Sequence, residues 1–143
     1  MITKSIYDIN DIKYIFIIIA ILLVVDGIWL YIMKDTFNKL ITNIQSSPLK
    51  LRIEPAIVAY IVMSLGLYHF VIKEKKPVIH AILLGIFMNT VYECTNYAAF
   101  DKWTIDIVIK DILWGGAMFG ITTIIFYSIY NAMNNGVDNI AII

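Results

Sequence analysis

Residues 14–33 read YIFIIIAILLVVDGIWLYIM, a run in which Asp26 is the only charged residue. An α-helix rises about 1.5 Å per residue and the hydrocarbon core of a bilayer is ~30 Å thick, so roughly 20 apolar residues make one crossing. The run therefore predicts a transmembrane helix, with Tyr14 and Tyr31 near its ends, where interfacial aromatics sit. It follows a polar leader carrying Asp8 and Asp11, is too long for a signal-peptide core and lacks a small-residue cleavage site. It is expected to be retained as the first span.

Three further apolar runs follow, at about residues 55–72, 78–98 and 105–130. Pro55 behind Glu54 suits a first helical turn, KEKKP at residues 73–77 reads as a tight hydrophilic turn, and FDKW at residues 100–103 as a short link. The fourth run is longer than a bilayer requires, which predicts interfacial first turns or a tilt. Between the first two runs, Phe37, Leu40, Ile41 and Ile44 recur at helical spacing among Asn38, Lys39 and Asn43. That pattern predicts a short amphipathic helix lying in the interface, ended by Gln45-Ser46-Ser47-Pro48.

Composition agrees: of 143 residues, 60% are hydrophobic and 15% charged, with a mean hydropathy of +0.80. Ordinary soluble domains are about half apolar. The expected fold is all-α, an integral membrane bundle of four transmembrane helices in which residues 1–143 make a single membrane domain. Net charge is zero and the basic residues form no stripe, which excludes nucleic acid and leaves the lipid bilayer as the partner. Cys94 is the single cysteine, so neither an internal disulfide nor a cysteine-based metal framework can form.

Four crossings put both termini and the second loop on one side, A, and the other two connections on the opposite side, B. Lysine and arginine do not orient them, because Lys4, Lys13, Lys73, Lys75 and Lys76 on side A balance Lys34, Lys39, Lys50, Arg52 and Lys102 on side B. Following the chain through each crossing places Asp26, Glu93, Asn96, Asp106 and Asp111 all in the B-side leaflet. Gly85, Asn89, Tyr92, Glu93 and Asn96 share one face of the third helix. Asp26 precedes Trp29, and Asp111 precedes Trp114, by one turn, so each acid is expected to have an indole on its own face. The polar residues of the A-side half are Ser64, Tyr68, His69, His80, Thr122, Thr123 and Ser128, with no acid among them. A water-filled pore would be polar along its full depth, so a vestibule open at side B fits better.

A carboxylate within the bilayer costs ~2.5–3.5 kcal/mol on insertion scales, so such groups turn inward, pair, hold a proton or bind a cation. Basic partners are few: Lys110 follows Asp106 by four residues, and Arg52 can reach down from the loop. A pocket of Asp26, Trp29, Asn89, Tyr92, Glu93, Asn96, Asp111 and Trp114 is therefore expected to hold a proton or a hard cation such as Mg²⁺, Ca²⁺ or Na⁺. Gly85, Gly115, Gly116 and Gly120 are expected to serve helix packing, and the GxxxG spacing of Gly116 and Gly120 suits internal packing and dimerisation equally. Tyr60 reads as a core or belt residue.

The strings DGIWLY (residues 26–31), IEPAIVAYIVMSLGLYHFVI (residues 53–72), VYECTNYAAFDKW (residues 91–103) and KDILWGG (residues 110–116), in that order, resemble the bacterial predicted-membrane-protein family catalogued as domain of unknown function 2177. The resemblance spans roughly residues 26–130. It implies a four-helix membrane protein with hallmark positions at Asp26, Trp29, Tyr92, Thr95, Asn96, Asp111, Trp114 and Gly115, and it implies no activity. Where the family usually carries an aspartate, this chain has Glu93, which keeps the acid and changes its reach.

Three functions remain open from sequence. The first is proton- or cation-coupled transport or small-ligand binding by an oligomer, since four helices are few for a transport path. The second is a structural or assembly role in a viral or organellar particle, with the polar residues as interhelical glue. The third is an enzyme acting on a lipid head group, against which stands the lack of a histidine or nucleophile motif in the pocket. Catalytic residues and cofactors are not specified by the sequence.

Overall fold

The computed structural model describes residues 8–134 and Ile140. Among them the chain forms α1 (Ile9–Gln45), α2 (Ile53–Leu67), α3 (Val78–Ala99) and α4 (Ile105–Met133), with no strand. α2 continues as a π-helical turn, Tyr68–Ile72, in which the Lys73 N–H donates to the Tyr68 carbonyl at 2.8 Å. With that turn included in α2, all four helices are long and apolar enough to cross a membrane. Lys4 and the tail beyond Asn134, apart from Ile140, lie outside the described residues.

α1 begins at an Asp8 cap whose carboxylate accepts the N–H groups of Asn10 and Asp11, while the Asp11 side chain accepts the Asp8 N–H. That reciprocal arrangement satisfies N–H groups that the first turn leaves unpaired. The helix then runs for 37 residues. The segment expected to form a separate interfacial helix is helical but continues α1 without a break. No proline or glycine interrupts residues 28–45. Only Ser46, in the left-handed region at φ 59°, stops the helix, and its N–H returns to the Thr42 carbonyl at 2.9 Å. At about 1.5 Å per residue α1 is roughly 55 Å long, nearly twice the hydrocarbon thickness, so its C-terminal third exceeds what one crossing requires.

Hydrogen bonds between helix ends fix the alternating course of the chain. At the A end, Tyr68 donates to Asp11, and Tyr127 donates to the Lys76 carbonyl at 2.7 Å. At the B end, Lys102 donates to the Asn43 carbonyl at 2.7 Å. The principal core contains Ile18, Leu22, Leu67, Tyr68, Val71, Phe119, Phe126 and Tyr127. A second, smaller core lies at the B end, where Leu40 of the α1 extension, with Phe37, Ile41 and Ile44 beside it, packs on Trp103, Ile107 and Val108. Outward faces stay apolar: Ile32, Phe87, Val91 and Leu113 are 62–69% exposed, as a lipid-facing surface requires.

The closest pairing is α3 with α4. A Cβ on Gly85 would run into the Gly115 carbonyl oxygen, and one on Gly115 would run into the Asn89 side chain. Gly116 and Gly120 face Ile86 and Ile82 of α3 in the same chain, each with room for a Cβ only at 2.8 Å. The GxxxG face is thus buried inside the bundle. Gly85→Ala is expected to destabilise the protein by about 1–3 kcal/mol, the usual range for overpacking. Gly66→Ala, whose added methyl meets nothing within 4 Å, serves as the control. Reversible unfolding in mixed detergent micelles measures both; equal stability of the two variants would refute the close approach.

Candidate functional site

Asp26-Gly-Ile-Trp29 on α1 and Asp111-Ile-Leu-Trp114 on α4 are the same D-x-x-W pattern on two helices of opposite direction. One turn separates acid and indole on each, so in an antiparallel pair the acid of one lies level with the indole of the other. The structure shows this exchange. Trp29 Nε1–H donates to Asp111 Oδ1 at 3.0 Å, Trp114 Nε1–H donates to Asp26 Oδ1 at 3.0 Å, and the two indoles stack between them at 4.8 Å and 9°. Each acid does have an indole on its own helical face, but the bonds cross: an indole N–H one turn away along the same helix points outward from it, toward the partner.

Other helices complete the cluster. From α2, Tyr60 donates to Asp26 Oδ2 at 2.6 Å, so a residue read as core or belt is a direct partner of an acid. From α3, Asn89 donates to the Asp111 carbonyl at 2.9 Å. Glu93, also on α3, is 0% exposed; its Oε2 accepts Trp103 Nε1–H at 2.8 Å, and its side chain meets that of Asp111. Glu93 Oε1 and Asn96 Nδ2 are buried without a hydrogen-bond partner.

Not every expected site residue joins this core. Tyr92 is 58% exposed; its ring meets Trp103 edge-on at 6.5 Å and its side chain lies beside Asn96. Its position one residue before Glu93 turns it away from the buried face. Asp106 pairs with Lys110 at 2.6 Å on an exposed surface. The acids also do not form a metal cage, for among the described residues no three histidine, cysteine, aspartate or glutamate side chains come together as ligands. Asp26 is held by α2 and α4, whereas Glu93 meets Asp111 across the α3–α4 contact.

At the B end Glu93 is covered, whereas Asp26 and Asp111 are only partly buried. Trp103, whose N–H serves Glu93, is itself built into the B-end core beneath Leu40 of the α1 extension. Two surface hollows, one lined by Phe87, Met88 and Val91 and one by Ile44, Ala99, Phe100, Asp101 and Lys102, include none of Asp26, Glu93 and Asp111. The A end also differs from expectation in holding an acid. Asp11, read as part of the leader, accepts Tyr68 and pairs with Lys73 at 3.2 Å. Trp103 was legible only as a link residue, since its role depends on a chain reversal that brings it back over Glu93.

A family model described as "Predicted membrane protein (DUF2177)" matches residues 11–132, and the chain belongs to that family. No curated protein and no solved structure matches it.

Trp103→Phe keeps the ring and removes the Glu93 donor, so it is expected to cost about 1–3 kcal/mol, as for a buried group left unpaired. In that background Glu93→Leu, which removes the acceptor oxygens, is expected to cost much less than in the parent, a coupling that a double-mutant cycle of unfolding free energies reads directly. Additive losses would disprove the link.

Proposed function

We propose that this DUF2177 protein is a multi-pass membrane protein that binds and releases a proton at the buried Glu93–Asp111 pair, in support of proton-coupled transport. The observation that carries the reading is Glu93 Oε1, fully buried, without a donor, and beside a second carboxyl group. Neutral N–H and O–H groups serve Asp26, Glu93 and Asp111, while the ion pairs among the described residues use Asp11, Glu74 and Asp106. Two carboxylates facing each other in hydrocarbon without a cation are costly. One proton between them removes a charge and supplies the missing donor. A dispersed set of three acids also suits a proton better than a metal, which needs converging ligands.

On this reading Trp103 and the α1 extension form the gate between the pair and side B, and proton exchange requires them to part. Four crossings would leave the start of α1 and the end of α4 on one side, here called A. The Trp29–Asp111 and Trp114–Asp26 exchange favours a second reading, in which the acids only lock α1 to α4. The two differ in whether a proton comes and goes.

Infrared difference spectra of the protein in lipid nanodiscs across a pH titration separate them. The expected result is a protonated-carboxyl C=O band that appears and vanishes with pH and is lost in Glu93→Gln, with the variant still folded. A spectrum without a titrating carboxyl band, or one unchanged in Glu93→Gln, would sink the proton-binding reading and leave the structural one.

A further inference from the structure

Tyr60, Ser64 and Tyr68 lie at i, i+4 and i+8 on α2, a spacing that sets all three on one face. α1 packs against this helix and its terminal π turn. The outer two bond to acids in the first turn and at the midpoint of α1: Tyr68 donates to Asp11, and Tyr60 donates to Asp26 at 2.6 Å. Between them Ser64 is 0% exposed and its hydroxyl has no hydrogen-bond partner. A buried helical hydroxyl ordinarily bonds the carbonyl one turn back, as Thr123 does with Phe119 at 2.8 Å. Ser64 does not, and neither does the equally buried Thr122 of α4.

We propose that Tyr60, Ser64 and Tyr68 line a proton route along the α1–α2 contact, joining the acid cluster at Asp26 to Asp11 at the A end. The proposal rests on the proton-binding reading above and adds its second outlet. Asp11 and Asp26 are fifteen positions apart on α1, about 22 Å along the axis. The two tyrosyl oxygens, each bonded to one of these acids, are therefore roughly 20 Å apart, and each gap of about 10 Å to Ser64 takes a file of two or three waters. A water in either gap would be the partner that Ser64 lacks.

Transfer makes and breaks only O–H bonds. A proton passed from Asp26 to the Tyr60 oxygen releases the tyrosine's own hydrogen toward Ser64. Ser64 in turn gives up its hydrogen toward Tyr68, and Tyr68 delivers one to Asp11. Each hydroxyl accepts one proton and gives one, then turns to reset, so one proton reaches Asp11 for each that leaves the cluster. The charged and titratable groups facing the route are Asp26 and Asp111 at one end, and Asp8, Asp11, Tyr14 and Lys73 at the other. The π turn begins at Tyr68, and such turns are frequent at functional positions.

The test uses the full chain in phosphatidylcholine–phosphatidylglycerol vesicles holding a pH-sensitive dye, with a potassium gradient and valinomycin to drive protons inward. Wild type is expected to acidify the lumen, Ser64→Ala and Tyr68→Phe to slow it about tenfold, and Ser64→Thr to restore it. The titrating carboxyl band assigned to Glu93 is expected to persist in all three variants. Wild-type rates in Ser64→Ala and Tyr68→Phe, or no flux in wild type, with the band present, would overturn the route and leave proton binding standing. Loss of the band together with the flux in Ser64→Ala would also overturn it, because the effect would then run through the acid cluster. Absence of the band in wild type would remove the reading on which the route rests.

Discussion

A carboxyl group in hydrocarbon has no water to bond, so each of its oxygens must find a donor on another helix or carry a proton. In this bundle that demand fixes which helices touch and at what height. Asp26 draws Trp114 from α4 and Tyr60 from α2, Asp111 draws Trp29 from α1, and Glu93 draws Trp103 from the link before α4. Moving any one helix along its axis by a residue, about 1.5 Å, would break at least one of these bonds. Lipid contact alone imposes no such register, because apolar side chains slide past one another at little cost.

Packing supplies the second constraint, and it acts at the same depth. Gly85 and Gly115 let α3 and α4 approach until the Asn89 amide reaches the Asp111 carbonyl. A larger residue at either position would push Glu93 away from Asp111, so the glycines belong to the acid cluster as much as to the core. The α1 extension acts on the cluster from the other side. It carries Leu40 over Trp103, and Trp103 closes over Glu93.

The crossings, the placing of Asp26, Glu93 and Asp111 toward one end, and the small-residue face of α4 were legible in sequence because each follows from helical periodicity and chain direction. The partners of the acids were not. The acid and indole of each helix were legible as sharing a face, but not their bonding, since the exchange exists only once α1 and α4 are set antiparallel and level. The continuity of α1 was obscured by reading amphipathic spacing after Met33 as a new element, when no residue there breaks a helix. Asp11 was assigned to a leader because charged residues ahead of a span usually are solvated; the capping box and the Tyr68 bond draw it into the fold.

That last reassignment alters the physical picture of the whole bundle. With Asp11 counted, the first turn and the midpoint of α1 each carry an acid bonded to a tyrosine of α2, and the two tyrosines stand eight residues apart with Ser64 midway. Thr123 and Ser128 bond carbonyls of their own helix, but Ser64, Thr122 and Glu93 Oε1 are fully buried and unsatisfied. Each loses stability by this, and Ser64 and Glu93 lie on the proposed route and at its source. Such losses are tolerated where a group must change partners, and a proton in transit is the smallest partner that can come and go through a closed bundle.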